Sequence, residues 1–274
     1  DAGNGLKYED PEKVSLVNNI LHSLFDSVKC YLGTNQQEVE EPMYAYTEYM
    51  KKLLGRTDPF PSEFTEGWRL DFADSPGEAV DKQDLMRKIW TSSGKELELY
   101  GPLRMDFFAA EGYLLPNTPL KIQLNRTPSQ FYITSETDKE YIFIIEEIAL
   151  ILNTVKANTA LLFEIEDKLE KQAATYRWDQ MITRQFTVAQ GSMSVHIPKL
   201  FEGLLPRKFV ICLLPQAAVT GDYQENPYAM EHMNMKQVGV KVNDREEMVL
   251  RADFENKLAL YAYTRYIDWI GNEQ

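Results

Sequence analysis

Residues 198–243 constrain the fold of this chain more than any other stretch. At their centre, residues 208–214 read KFVICLL, an apolar run enclosed by Pro206 and Pro215. A run of this length between breakers fits a strand buried on both faces or a short buried helix, and the β-branched content favours the strand. A turn-rich segment follows, and residues 237–242 (QVGVKV) then alternate apolar and polar side chains like a half-buried strand. Two strands around a long polar excursion indicate a large β-sandwich with elaborated loops.

The rest of the chain alternates predicted strands with predicted helices. Further strands are predicted at residues 27–32, 96–100, 119–124, 131–133, 181–188 and 192–197, and helices at 14–25, 42–54, 158–174 and 253–270. Residues 140–155 are long enough for a helix, but their clustered isoleucines and partial alternation favour a strand. The stretch between residues 55 and 94, rich in proline, glycine and acidic residues, is predicted to be an elaborated loop.

The helix at 158–174 carries the clearest signals. Asn158 or Thr159 is placed to cap it, and Glu164–Lys168 and Asp167–Lys171 have the i,i+4 spacing of helical ion pairs. For the final helix, Asp253 is the predicted cap and Gly271 the predicted stop.

Charge and cysteine usage narrow the classes of function. The formal net charge of −13 gives the chain no overall field for phosphate, so direct nucleic-acid binding is not expected. No apolar run approaches the ~20 residues that a membrane-spanning helix needs. The only two cysteines, Cys30 and Cys212, lie in apolar strand-like contexts and are predicted to be buried free thiols.

Residue types that carry chemistry show no recognised catalytic or metal-binding spacing. His22, His196 and His232 are far apart in sequence, and none forms part of a metal-ligand motif. Pairing of Cys212 with a histidine as a nucleophile conflicts with its apolar strand context, which raises a thiol pKa. Residues 93–95 (SGK) lack the upstream glycine of a phosphate loop and are predicted to be a turn.

The acidic clusters at residues 38–41 and 136–140 lack the calcium-loop pattern and are predicted to be solvated turns. We therefore predict no catalytic, cofactor-binding or metal-binding residues and no cofactor. Paired carboxylates of the glycosidase type converge in space and not in sequence, and no pattern in this chain singles out such a pair.

Two further segments leave alternatives open. Residues 230–235 (MEHMNM) form either an adaptable partner surface or a packed loop. The aromatic side chains of the final helix, Tyr261, Tyr263, Tyr266 and Trp269, either anchor an interface or cover one end of a sandwich.

Several segments resemble, in the same order, segments of one family of viral proteins. They are VNNILHSLF at 17–25, YAY at 44–46, GPLRMDF at 101–107 with a leucine pair at 114–115, LKIQLN at 120–125, and the LPRK, strand and NPY sequence within 201–242. The chain thus resembles major capsid proteins of the polinton (Maverick) and adintovirus type.

The resemblance implies a mainly β fold with two jelly rolls in one chain and helices in the connections. Residues 1–157 would form the first jelly roll, and residues 158–274 would form the linking helix and the second jelly roll. It implies trimers of pseudo-hexagonal outline that tile an icosahedral shell, with no active site. The partners would be copies of the chain and minor capsid or penton proteins, and the location the virion capsid, assembled inside the host cell.

Strands that the family carries before residue 17 and after residue 270 have no counterpart here. The resemblance therefore implies a fragment, a degenerate copy or a protein completed by another chain. The alternative function is a β-sandwich binding module, lectin-like or domesticated by a host, and an enzyme ranks third.

Overall fold

The computed structural model describes residues 14–33, 37–55, 65–68, 95–110, 112–135, 140–201, 203, 205–243 and 245–271. The strands are β1 (Val14–Leu16), β2 (Phe25–Leu32), β3 (Gln37–Glu41), β4 (Leu120–Arg126), β5 (Ile133–Ser135), β6 (Gln237–Val242) and β7 (Arg245–Arg251). The helices are α1 (Ile20–Ser23), α2 (Tyr44–Leu54), α3 (Ser129–Tyr132), α4 (Thr159–Lys171), α5 (Gln216–Thr220) and α6 (Leu260–Gly271), with a 3-10 helix at Asp106–Ala109.

The described strands form three small antiparallel sheets. β2 is the centre of the largest, with β3 on one edge and β4 on the other. β1 pairs with β5, and β6 pairs with β7 as a hairpin. In β2, Val28 and Cys30 are fully buried and face Leu124 and Ile122 of β4, which gives this sheet one apolar face.

The main hydrophobic core lies where α1 and α2 meet β1 and β5. Its buried members are Val14, Leu16, Val17, Ile20, Leu24, Ala45, Tyr49, Met50, Leu54, Phe131, Tyr132, Ile133 and Tyr228. Tyr228 comes from the NPY segment, where Asn226 Oδ1 accepts a hydrogen bond from its backbone N–H at 3.0 Å. Its ring stacks on Tyr49 with centroids 4.1 Å apart. A residue from late in the chain thus completes a core built mostly from the first 135 residues.

The prediction of one helix over residues 14–25 is wrong for most of these residues, since only Ile20–Ser23 are helical. The chain forms β1, turns, and makes only the single turn of α1. Asn19 causes the break because its backbone is left-handed (φ 58°), and its N–H donates to Gly67 O at 2.8 Å instead of continuing a helix.

Four predicted elements are confirmed. The strands predicted at 27–32, 119–124 and 237–242 correspond to β2, β4 and β6, and the helix predicted at 42–54 corresponds to α2, with shifts of a few residues at some ends. For the strand predicted at residues 131–133, the boundary is wrong, since α3 runs to Tyr132 and β5 begins at Ile133.

No strand ladder forms at residues 96–100, 140–155, 181–188, 192–197 or 208–214, so these strand predictions are wrong for the described chain. In residues 208–214 the prediction of burial on both faces also fails, because Val210 and Ile211 are exposed. Apolar content predicts a strand only where a partner edge is available, and among the described residues these segments have none. Much of the predicted loop between residues 55 and 94 lies outside the described residues.

The helices at 158–174 and 253–270 are confirmed in part. In α4, Asn158 caps with its Oδ1 accepting from Ala160 N–H, and both i,i+4 ion pairs form, at 2.7 and 2.6 Å. The final helix begins only at Leu260, because residues 253–258 form a turn with Lys257 in the left-handed region (φ 58°). Asp253 accepts hydrogen bonds from Asn256 within that turn, so its predicted role as helix cap is wrong.

No jelly roll is evident in the three small sheets, and the double jelly roll and the division at residues 157 and 158 stay predictions.

Candidate functional site

A buried polar cluster lies beside α1, and His22 is at its centre. His22 is 2% exposed, and its Nε2–H donates to Glu66 Oε2 at 3.2 Å. The other ring nitrogen, Nδ1, lies 2.8 Å from the hydroxyl oxygen of Tyr44, which can either donate to it or accept from it. Because an ionised carboxylate can only accept, Glu66 keeps a proton on Nε2.

Lys52 closes the same cluster from α2. Its ammonium forms an ion pair with Glu66 and donates to Asn19 Oδ1 at 2.8 Å. Arg104 approaches Glu66 Oε1 from the other side, with its Nη2 at 3.6 Å. A fully buried carboxylate is costly unless it is paired, and here two cations and an imidazole compensate for its charge.

A second cluster surrounds Lys51, the neighbouring residue of α2. Its ammonium lies 2.6 Å from Glu41 Oε1, 2.7 Å from Glu48 Oε1 and 2.7 Å from Asp106 Oδ1. Burial opposes the charged form of Lys51, but the carboxylates outweigh it and raise the pKa of Lys51. Burial raises the pKa of Glu48 to about 7, although Lys51 acts in the opposite direction. This cluster joins β3, α2 and the 3-10 helix, and Asp106 Oδ2 extends it by accepting from Met181 N–H at 2.6 Å.

Three segments that carried the family resemblance contribute side chains to the first cluster, and the GPLRMDF segment does so through Arg104. His22 belongs to VNNILHSLF and bonds Tyr44 of the YAY segment. Ser23 Oγ lies 2.6 Å from the hydroxyl of Tyr228 in the NPY segment. These polar residues therefore hold distant parts of the chain together.

The order hydroxyl, imidazole, carboxylate in Tyr44, His22 and Glu66 is the order used in nucleophilic catalysis. A nucleophile must reach its substrate, however, and Tyr44 is 1% exposed. Burial is also the main cause that raises the pKa of Tyr44 well above its ordinary value, which keeps the hydroxyl protonated. In the arrangement described, the cluster positions backbone segments and has no exposed reactive atom.

Sequence reasoning missed the charged members of both clusters. Lys51, Lys52 and Glu48 are on α2, a helix whose side chains are buried on nearly every side. Three charged residues within a short helix made otherwise of tyrosine and mostly apolar side chains were the available signal. Glu66 gave no signal, because it lies in a stretch with no regular pattern.

The three histidines have different surroundings. His22 is in the buried cluster, His196 is exposed, and His232 stacks on Phe254 with ring centroids 4.4 Å apart. In the described part of the chain, no group of three or more histidine, cysteine, aspartate or glutamate side chains is arranged so that it could hold a metal ion. The carboxylates that do converge, those around Lys51, bind its ammonium group.

The cysteines differ from each other. Cys30 is buried and free, as predicted, and burial raises its thiol pKa. Cys212 is also free but exposed, so its predicted burial is wrong; its Sγ lies 3.9 Å from Met50 Sδ. The segment around Cys212 runs along the core rather than inside a sheet, which leaves one side open.

The acidic cluster at residues 38–41 belongs to a strand and not to a turn. Glu38 and Glu40 pair with Lys29 at 2.9 and 3.1 Å, while Glu41 turns inward to Lys51. An edge strand carrying this many charges resists pairing with another chain. Of the cluster at 136–140, only Glu140 is among the described residues, and it is exposed. In the SGK turn, only Lys95 is described, in irregular structure.

The two open segments differ in what they contact. In the methionine-rich segment, Met230 packs against the main core and Met233 is 49% exposed. On α6, Leu260, Tyr261 and Tyr263 are more than half exposed and Tyr266 is 40% exposed. Trp269 lies in α6, but its side chain is outside the described set. The exposure of these side chains fits an interface element better than a helix that covers one end of a sandwich.

A groove of about 130 Å³ lies beside Tyr46 and Phe131, with Asp26 as its acidic residue. Sites for small molecules usually enclose about 300–1,000 Å³, so this groove is small for a ligand site.

No described helix combines the length and apolar character needed to cross a membrane. Comparison of the chain with protein-family models, with curated proteins and with solved structures finds no match in any of the three.

Proposed function

We propose that this chain is a structural protein that works by self-association, as a major capsid protein whose trimers tile an icosahedral shell. The observation that carries this proposal is the number of large apolar side chains on its surface. In residues 140–155, Ile142 is 84% exposed and Ile144 is 71% exposed, and Ile148, Leu150, Ile151, Leu152 and Val155 are each more than half exposed. Apolar surface on this scale is typical of sites that bind another protein.

The alternation within residues 140–145 supports an interface. Tyr141 and Phe143 pack against the main core, while Ile142 and Ile144 point outward. Residues 181–184 repeat this arrangement, with Met181 on the core and Ile182 outside. Side chains that alternate in this way belong to extended backbone with one face free, which is the form in which strands add to a neighbour.

The buried clusters support a structural role in another way. Their charged side chains link β3, α2, the 3-10 helix and residue 181, and thereby stiffen the unit that would carry the contacts. A shell subunit needs such a rigid unit, because a symmetric shell forms only if the contacts between subunits have a fixed geometry. The double jelly roll implied by the resemblance is part of this proposal.

Light scattering coupled to size-exclusion chromatography tests the proposal directly. We expect a trimer at micromolar concentration, with an interface of the obligate class that buries more than ~2,000 Å². Negative-stain images should show blocks of three-fold or pseudo-hexagonal outline. A monomer throughout this concentration range would contradict self-association, and a monomer that binds glycans on an array would favour the binding module.

A further inference from the structure

Residues 140–155 carry acidic charge together with their exposed apolar side chains. The segment contains three glutamates and no lysine or arginine. We define the acidic strip as the exposed side chains of Glu140, Ile142, Ile144, Glu146, Glu147 and Ile148. Glu146 and Glu147 form no ion pair with any residue that the structure describes. Their charge is therefore available to a partner.

Residues 177–208 have the opposite charge balance. They contain five lysines and arginines and two acidic residues, Asp179 and Glu202. We define the basic strip as the exposed side chains of Arg177, Ile182, Arg184, Phe186, Lys199 and Arg207.

Two contacts hold the halves of this strip side by side and in opposite directions. Arg184 Nη1 donates to Leu200 O at 3.0 Å, and Arg207 Nη2 pairs with Asp179 at 2.7 Å. Arg184 and Lys199 consequently lie near each other at one end, beside exposed apolar side chains.

The overall charge of the chain makes this local positive surface significant. With a formal net charge of −13, two copies repel each other at most orientations. Association is least opposed where a positive surface of one copy meets a negative surface of the other. Both strips also expose isoleucine, so contact between them buries apolar area while it pairs charges.

We propose that the acidic strip of one copy docks on the basic strip of the next copy, in a head-to-tail contact. The two strips are different surfaces of one chain, so each copy binds one neighbour through its acidic strip and another through its basic strip. Such contacts close into a ring if the rotation between successive copies permits. The proposal rests on the self-association proposed above and assigns the surfaces and the partner chemistry of that contact. High salt weakens the contact because part of its attraction is between exposed charges.

Charge reversal on each strip tests the assignment, with the full chain and light scattering at low ionic strength. The Glu146→Lys/Glu147→Lys variant reverses the acidic strip, and Arg184→Glu/Lys199→Glu reverses the basic strip. We expect each variant alone to weaken association about tenfold or more. A mixture of the two should form a one-to-one complex, and a chain with all four substitutions should recover the wild-type oligomer.

A matched control separates a local effect from a change in net charge. The Glu166→Lys/Glu170→Lys variant makes the same charge change on α4, whose side chains are all partly or fully exposed, and should keep the wild-type oligomer. Circular dichroism checks that each variant is folded. If the reversal of the acidic strip does not fold, Glu146→Gln/Glu147→Gln replaces it, and if the reversal of the basic strip does not fold, Arg184→Gln/Lys199→Gln replaces it; each replacement should weaken association to a smaller extent.

The outcomes distinguish this assignment from the proposed function. A monomeric wild-type chain overturns both. An oligomeric wild type that keeps its state in both strip variants overturns the assignment alone. So does a strip variant that loses thermal stability and is not rescued in the mixture, because the strips would then pair within one chain.

Discussion

Glu48 is a buried carboxylate with only one of its two oxygens paired in the described fold. It is fully buried, its Oε1 pairs with Lys51, and its Oε2 has no hydrogen-bond partner among the described residues. Burial raises its pKa from 4.5 to about 7, so between these values the native state binds more protons than the unfolded state. The free energy of unfolding therefore falls as pH rises through this window and then levels off.

Substitution of this residue, Glu48→Gln, tests that pH dependence. We expect the wild type to lose about 1–3 kcal/mol of stability between pH 5 and pH 8, since one pKa unit corresponds to about 1.4 kcal/mol. The variant should lose most of this slope; a smaller part persists because burial also raises the pKa of Glu41. At pH 8 it should be at least as stable as the wild type, because Lys51 keeps Glu41 and Asp106.

Urea unfolding at pH 5, 6.5 and 8 measures the effect. The exposed Glu164 of α4 provides the control, since Glu164→Gln should leave the slope unchanged. A Glu48→Gln variant that is markedly less stable than wild type at pH 8 would mean that its pairing with Lys51 outweighs the cost of burial.

At the scale of elements, α2 and α4 differ in how far packing supports them. α2 buries eight of its residues, whereas α4 buries none and depends on its cap and ion pairs. Proline substitution tests this difference, because proline inside a helix costs ~3 kcal/mol or more locally.

For Glu166→Pro in α4 we expect a loss of helical circular dichroism. The unfolding free energy should change by less than about 1 kcal/mol, because no buried contact is lost. The matched Thr47→Pro in α2 should prevent folding. Equal losses for the two variants would contradict the description of α4 as a weakly anchored helix.

The same contrast explains which elements could be predicted from the sequence. β2, β4, β6 and α2 have clear periodicity, and each has a partner nearby in the structure, so local pattern and packing agree. Residues 208–214 and 140–155 have the composition of strands, but a ladder depends on a second edge, which composition does not reveal. α1 begins after Asn19, whose backbone N–H donates to Gly67 O. These two residues are 48 positions apart, so no local sequence pattern predicts where the helix begins.

The buried clusters were harder to predict than the helices and strands. His22 and Tyr44 were visible as parts of segments with a family resemblance, but their contact with Glu66 was not, since ion pairs between distant segments leave no spacing signal. The predicted absence of catalytic, cofactor-binding and metal-binding residues stays a prediction.

At the scale of the whole molecule, the described residues include a buried hydrophobic core and long segments that pair with no strand. Around β1, β2, β4, β5 and α2, backbone N–H groups are held in sheet or helix and covered by buried side chains. Residues 140–155 and 181–197 instead expose most of their apolar side chains and form no sheet among the described residues. Hydrogen exchange separates such regions, because an amide without a stable hydrogen bond exchanges without any unfolding.

We therefore expect exchange in residues 140–155 and 181–197 to depend on protein concentration. In dilute solution their amides should exchange rapidly, and at concentrations where oligomers form they should become protected, since a neighbouring copy then covers them and bonds their backbone. Amides of β2 and β4 should be protected in both conditions. α4 is an internal control, because its exposed helix should exchange equally in both. Strong protection of residues 140–155 in the dilute monomer would mean that the segment pairs within its own chain, and the surface assigned to self-association would then be part of the interior.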